Sequence, residues 1–164
     1  MTPPEQTDKA VDPRVFQVRE VVRFRHCDPA GIVFYPRYFE MINDFVETWF
    51  EQGLGASFHV LHVERGMGTP TASVHCDFIS PSRWNDTLIQ TLHVEHLGGA
   101  SVRLAFAFAG EDGVVRLRGH ITIVTVNLAT MRSQRIPDPL RAAMARFLIQ
   151  SGTDGAGTSC FSDV

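Results

Sequence analysis

The sequence predicts an α+β domain in which an antiparallel sheet covers one long, buried helix. Three observations carry this. Residues 36–52 repeat apolar side chains with helical spacing around most of the circumference. Five segments alternate apolar and polar residues with the two-residue period of a strand. The later segments are joined by short glycine-containing turns, which makes neighbours hairpins. With 164 residues, 44% of them hydrophobic and 20% charged, one core is enough. Folding at this size hides roughly 70% of the surface that the extended chain exposes.

In chain order, residues 1–12 are polar and contain proline, and residues 151–164 are rich in Gly, Ser and Thr. Both are expected to be disordered tails, leaving one folded unit at 13–150 without internal repeats. Residues 15–25 read as a strand, with Phe16, Val18, Val22 and Phe24 on one face and Gln17, Arg19, Arg23 and Arg25 on the other. Glu20 is the misfit. Asp28-Pro29-Ala30-Gly31 breaks the strand with turn residues, and Ile32-Val33-Phe34-Tyr35 forms a short apolar link.

Pro36 opens the helix, because its missing N–H would find no partner at the first helical position. Along 36–52, Tyr38, Ile42, Phe45 and Trp49 form one stripe, and Phe39, Val46 and Phe50 form its neighbour. Arg37, Glu40, Asp44, Glu47 and Glu51 leave only a narrow strip for water, so this helix is expected to lie in a trough. Gly53-Leu54-Gly55 stops it, and a shorter helix is expected at 56–65. Strands follow at 71–78, 86–96, 101–108 and 114–126, with turns at Gly98-Gly99 and Glu111-Asp112-Gly113. Pro137-Asp138-Pro139 starts a last helix carrying Leu140, Met144, Phe147 and Leu148. One sheet over one helix leaves its edges and its other face open, and an obligate dimer joining two sheets edge to edge would close them.

Composition excludes several classes. The net charge of −3 comes with basic residues spread along the chain, which disfavours nucleic acid and fits a small neutral or anionic ligand. No segment has the ~20 apolar residues of a membrane span, and the amino end has no apolar signal core. Three scattered cysteines, Cys27, Cys76 and Cys160, form neither a disulfide framework nor a zinc knuckle. A reducing cytoplasm is therefore the expected compartment. His59 with His62 and His93 with His96 have short spacings, but no carboxylate or cysteine completes a ligand set, so no metal is expected.

The segment RHCDPAGIVFYPRYF, residues 25–39, carries the chemistry. It sets a carboxylate, Asp28, in a turn just before the amino end of a buried helix. Such an end offers unpaired N–H groups and a positive dipole, the equipment for polarising a carbonyl. Pro36 has no N–H to give, so the donor belongs to Val33, Phe34, Tyr35, Arg37 or Tyr38. An aspartate nearby can attack an activated acyl carbon or deprotonate a water that does. Asp before Pro equally makes an Asx turn or caps a helix, and composition does not separate these readings. Cys27 lacks a histidine partner and reads as a small buried hydrophobe, and His26 reads as structural.

CDPAGIVFYPRYFE, together with VERGMGTPTAS downstream, closely resembles the 4-hydroxybenzoyl-CoA thioesterase family. The likeness runs from about Val15 to the IPDPL stretch. The resemblance implies the hot-dog fold, a long central helix wrapped by an antiparallel sheet. It also implies hydrolysis of an aromatic, benzoyl-type acyl-CoA to the free acid and coenzyme A. By position it makes Asp28 the catalytic carboxylate, as nucleophile or general base, and the Tyr35 N–H the polarising donor. Gly31, Ile32, Val33, Asn43 and Thr69 become substrate-binding positions, Thr69 across a subunit boundary. Asn43 stands where the hydroxybenzoyl member has aspartate, which leaves the acyl ring open. Arg83, Arg118, Arg132 and Arg135 are candidates for the coenzyme A phosphates, since phosphates favour arginine. Coenzyme A would be part of substrate and product, with no separate cofactor, and the assembly would be a homodimer and a homotetramer built as a dimer of dimers. Three other readings stay open: a short-chain acyl-CoA thioesterase, a hot-dog dehydratase, and a non-catalytic acyl-CoA binding module.

Overall fold

The computed structural model describes residues 12–150, so the expected tails at 1–12 and 151–164 lie, apart from Asp12, outside the described residues. Strand β1 (Phe16–Val21) is followed by a 3-10 turn at Phe24–His26 and by helix α1 (Tyr35–Thr48). The helix continues into a wider π-type turn, Trp49–Gly53, and a second such turn stands at Val60–Glu64. Then come β2 (Met67–Gly68), β3 (Thr71–Phe78), β4 (Thr87–Leu97), β5 (Ser101–Gly110), β6 (Val115–Val124), β7 (Val126–Asn127), β8 (Arg132–Ser133) and helix α2 (Asp138–Ala145). The long strands form one antiparallel sheet in the order β1-β4-β5-β6-β3. The expected α+β architecture, with five strands, a long helix and a carboxyl-terminal helix, is present.

Alternation along the central strands decides what packs on α1. Leu88, Leu92 and Val94 of β4, Val102, Leu104, Phe106 and Phe108 of β5, and Leu117, Ile121 and Ile123 of β6 form one core with Tyr38, Met41, Ile42, Phe45, Val46, Trp49 and Phe50. Each of the larger side chains contributes roughly 1.5–3 kcal/mol by burial. Phe45 sits at the middle, its ring 5.8 Å from both Phe16 and Phe108. Leu140, Met144 and Phe147 of the α2 region close the far end of the core.

Three expectations are corrected. The first strand ends at Val21, because the His26 ring accepts the Arg23 N–H and folds the chain into the 3-10 turn. Phe24 is thereby thrown out of the alternation and stands 75% exposed. Pro36 occupies the second helical position, behind Tyr35; the helix supplies no N–H partner at either place, so proline is tolerated at both. The helix expected at 56–65 is only a turn and a half, and β2, β7 and β8 form a small three-stranded sheet that two-residue strands give no period to reveal.

Strand β3 is an edge, with seven of its eight residues exposed. Its approach to β6 depends on Gly119, where a Cβ would lie 1.9 Å from the His75 carbonyl oxygen. Among the described residues no helix is long and apolar enough to cross a membrane.

Candidate active site

Between the 3-10 turn and α1 the chain doubles back as a tight hairpin, Cys27 pairing with Val33. The Asp28 N–H donates to the Ile32 carbonyl at 3.0 Å, Gly31 N–H to the Asp28 carbonyl at 2.9 Å, and Phe34 N–H to the His26 carbonyl at 2.9 Å. Gly31 has φ +77°, a conformation that a Cβ would strain. Asp28 Oδ1 accepts the Ala30 N–H at 2.8 Å, which is the Asx turn that the bland reading foresaw. Its second oxygen takes no hydrogen bond among the described residues. The carboxylate is half-buried at the hairpin tip.

The return strand is pinned from behind. Val33 N–H donates to the Ser82 carbonyl at 2.9 Å and Ile32 bridges to Arg83. Ser82 is fully buried and its Oγ accepts the Tyr38 hydroxyl at 2.8 Å. His26 is 6% exposed, with Nδ1 accepting the Arg23 N–H at 3.0 Å. Burial first, then the neighbouring Arg25 guanidinium, hold its pKa below the usual imidazole range. The ring faces donors at both nitrogens, the Arg23 N–H at Nδ1 and the Arg25 guanidinium at Nε2, the latter at 3.2 Å. Its role is to shape the turn.

The helix start narrows the choice of donor to one. Val33, Phe34 and Arg37 already donate to the carbonyls of Ser82, His26 and Phe34. Pro36 has no N–H, and Tyr38 is the first position with an acceptor inside the helix. The Tyr35 N–H alone is left without a partner among the described residues. No carboxylate occupies the first turn of α1, so its positive end is free to act on another negative charge.

Two cavities, of about 490 and 560 Å³, are lined by residues of interest. The larger, 560 Å³, is lined by Asp28, Pro29, Gly31 and Cys27, by the exposed rings of Phe24 and Trp84, and by Arg83. The two rings meet edge to face, 5.8 Å apart at 76°. The smaller, 490 Å³, lies on the sheet face away from α1 and is lined by His93, Glu95, His120, Arg118 and Asp77 over an alanine floor.

Of the residues singled out in the sequence, the chain brings Asp28, Gly31 and Arg83 to one cavity, with Ile32 and Val33 on the return strand beside it. The others are elsewhere in this single chain. Asn43 is exposed two turns along α1, and Thr69 follows β2 with its Oγ1 3.3 Å from His62 Nε2. Arg118 lines the outer cavity, Arg132 is exposed on β8, and Arg135 pairs with Asp138 at 3.2 Å. Among the described residues no three His, Cys, Asp or Glu side chains gather as a ligand set for a metal. Cys27 is free, and burial pushes the free Cys76 thiol up to about 11. Sequence reasoning missed Trp84 and misplaced Phe24. The available signal was a tryptophan in the polar turn Arg83-Trp84-Asn85-Asp86, with no periodic apolar partner to bury it.

Comparison with known proteins places this geometry. Residues 22–144 match the model of the thioesterase-like superfamily. A 4-hydroxybenzoyl-CoA thioesterase from Pseudomonas sp. (strain CBS-3) is 30% identical over 76 residues, which is 46% of this chain and 54% of that protein. The match thus spans about half of the relative's length. Among solved structures, a gentisyl-coenzyme A thioesterase is 27% identical with a TM-score of 0.67, covering 77% of this chain and 98% of that one. A Staphylococcus aureus protein solved in complex with CoA is 18% identical with a TM-score of 0.77, covering 84% of this chain and 86% of the other. The family model spans most of the folded unit and the overall fold matches these structures, and the chain belongs to the thioesterase-like superfamily with the hot-dog fold.

Proposed function

We propose that the protein is an acyl-CoA thioesterase that hydrolyses an aromatic, benzoyl-type acyl-CoA to the free acid and coenzyme A. The observation that carries this reading is the unpartnered Tyr35 N–H at the start of a 14-residue helix, next to a hairpin whose tip holds the free oxygen of Asp28. The thioester carbonyl oxygen accepts the Tyr35 N–H. As the carbon becomes tetrahedral, negative charge builds on that oxygen, where the helix end and the amide stabilise it most.

Asp28 then acts in one of two ways. As nucleophile, its oxygen bonds to the carbonyl carbon, the C–S bond breaks, the thiolate leaves and takes a proton, and water cleaves the resulting anhydride. As base, it takes a proton from a water whose oxygen attacks the carbon directly. The relatives' names support an aromatic acyl group, and the CoA complex of one neighbour supports coenzyme A as the carrier. Gly31, Ile32 and Val33 shape the acyl site with Asn43, Thr69 completes it from another subunit, and Arg118, Arg132 and Arg135 are the pool from which phosphate contacts are drawn.

That completion requires a second copy. Strand β3 is an eight-residue unpaired edge, flanked by the exposed rings of Phe34, Tyr35, Phe39 and Phe78. Edge-to-edge pairing of two β3 strands gives the homodimer, and the open outer sheet face gives the dimer of dimers. Phe78→Glu is expected to shift the mass measured by light scattering towards one chain and to reduce activity in parallel.

The primary test is thiol release from a panel of aromatic and aliphatic acyl-CoA esters, run beside Asp28→Asn. Release from an aromatic ester that disappears in the variant upholds the reading. Tight binding of intact esters with no thiol release overturns it in favour of a binding module.

A further inference from the structure

We infer that Phe24 and Trp84 form the wall that selects an aromatic acyl group, an inference that rests on the thioesterase reading. Phe24 is 75% and Trp84 64% exposed, so together they present a patch of apolar surface to water beside the Asp28 carboxylate. Single exposed apolar residues are ordinary. Two aromatic rings in contact at the mouth of a cavity holding a carboxylate form a continuous apolar surface.

Both rings ride on turns that are fixed before any ligand arrives. Trp84 sits in a turn where Val33 N–H donates to the Ser82 carbonyl, Asn85 N–H to the Val22 carbonyl and Asp86 N–H to the Arg83 carbonyl. Asp86 Oδ2 also accepts the Arg83 N–H at 2.8 Å. Phe24 is held where Cys27 N–H donates to its carbonyl at 3.1 Å. Preformed walls lower the ordering cost of binding.

The chemistry of the substrate decides what occupies the wall. In an aroyl thioester the ring is bonded directly to the carbonyl carbon. A carboxylate that reaches that carbon therefore shares its cavity with the ring, whereas the nucleotide lies at the far end of the pantetheine arm. In their edge-to-face contact both rings stay largely exposed, so a third ring adds by stacking or by a second edge contact. An aliphatic acyl group has no ring face to offer. Arg83 lines the same cavity, and its guanidinium has no partner among the described residues. It stands ready for a polar or charged ring substituent.

The test compares benzoyl-CoA with butyryl-CoA in the wild type, Trp84→Ala and Trp84→Phe. The ratio of kcat/KM for benzoyl-CoA to that for butyryl-CoA is expected to fall five- to tenfold in Trp84→Ala and to recover in Trp84→Phe. An unchanged ratio, with both esters slowed alike, overturns the proposal, because the ring would then serve the shared coenzyme A arm. A second readout stands apart from turnover. The chain has two tryptophans and Trp49 is fully buried, so benzoate should quench the emission of Trp84 in the Asp28→Asn protein. If the wild type releases no thiol from either ester, the thioesterase reading fails, and quenching alone then judges the wall. Quenching that is lost in Trp84→Phe upholds it, and its absence from the Asp28→Asn protein overturns it.

Discussion

A cavity at the hairpin and a cavity on the outer sheet face are similar in size, and they differ in how their carboxylates are held. In the outer cavity one carboxylate, Glu95, is held by two basic side chains through a single oxygen. Glu95 Oε2 holds His120 at 2.8 Å and Arg103 at 3.1 Å. In the hairpin cavity Asp28 keeps one oxygen free, and the helix start beside the hairpin keeps one N–H free. A carboxylate already bound by an arginine and a histidine has its charge offset by neighbours, whereas Asp28 meets only a backbone N–H and keeps its charge available. Cavity volume does not distinguish the two; the partners of each carboxylate do.

The sharpest way to break this comparison is to neutralise one carboxylate in each cavity. Asp28→Asn is expected to reduce thiol release by about 10²–10⁴-fold, the range for a positioned acid–base or nucleophilic group, while the unfolding midpoint stays put. Glu95→Gln should leave thiol release unchanged and cost well under about 1 kcal/mol of stability, since its partners are partly exposed. Equal losses of activity would erase the distinction.

A smaller effect is expected from Gly31→Ala. The residue has φ +77° with open space around its Cα, so an added methyl meets backbone strain and no clash. The expected cost is about 1–2 kcal/mol, read as a lower urea midpoint. Because the strain falls on the Asx turn, activity should drop more than global stability does.

The smallest effect concerns pH, and each region contributes one histidine. Burial, the largest cause in both cases, holds His26 and His93 below the usual imidazole range. A group whose folded pKa is depressed binds more protons in the unfolded chain as pH falls. Stability is therefore complete above about pH 6.5, the unfolded value, and is lost progressively below it. Urea midpoints at pH 7.5 and pH 5.5 should show the decline, and His93→Gln should flatten it without touching activity.

Much of the fold was legible because burial on one face writes a period into the chain. The stripe of Tyr38, Ile42, Phe45 and Trp49, and the alternation of Leu88, Leu92 and Val94, are direct records of packing against a partner element. Strand β3 shows the limit of that logic. Ala72, Val74, Cys76 and Phe78 alternate as cleanly as β4, yet all but Cys76 are exposed, because period reports a face and never says what covers it. Phe24 shows another. Its place in the alternation was right for a strand, but one imidazole accepting the Arg23 N–H ended the strand first. At the site, Asp28-Pro29-Ala30-Gly31 was legible as a turn since each residue has a local reason to be there. The choice of Tyr35 from five donors, and the meeting of Phe24 with Trp84, depend on distant residues 82–86 that no local pattern announces.

The sheet order has a consequence for how the chain comes into being. During synthesis β1 and β3 emerge before the strands they join, since β1 needs β4 and β3 needs β6. Within the five-stranded sheet only the β4-β5-β6 meander is built from neighbours in sequence, so it closes with short loops, and the first half of the chain waits for it. The hairpin carrying Asp28 waits too, because Val33 is tied to Ser82 and Val22 to Asn85 and Asp86. A nascent chain halted before Ser82 holds the whole sequence of the hairpin and the helix start, and still lacks the segment that fixes their arrangement.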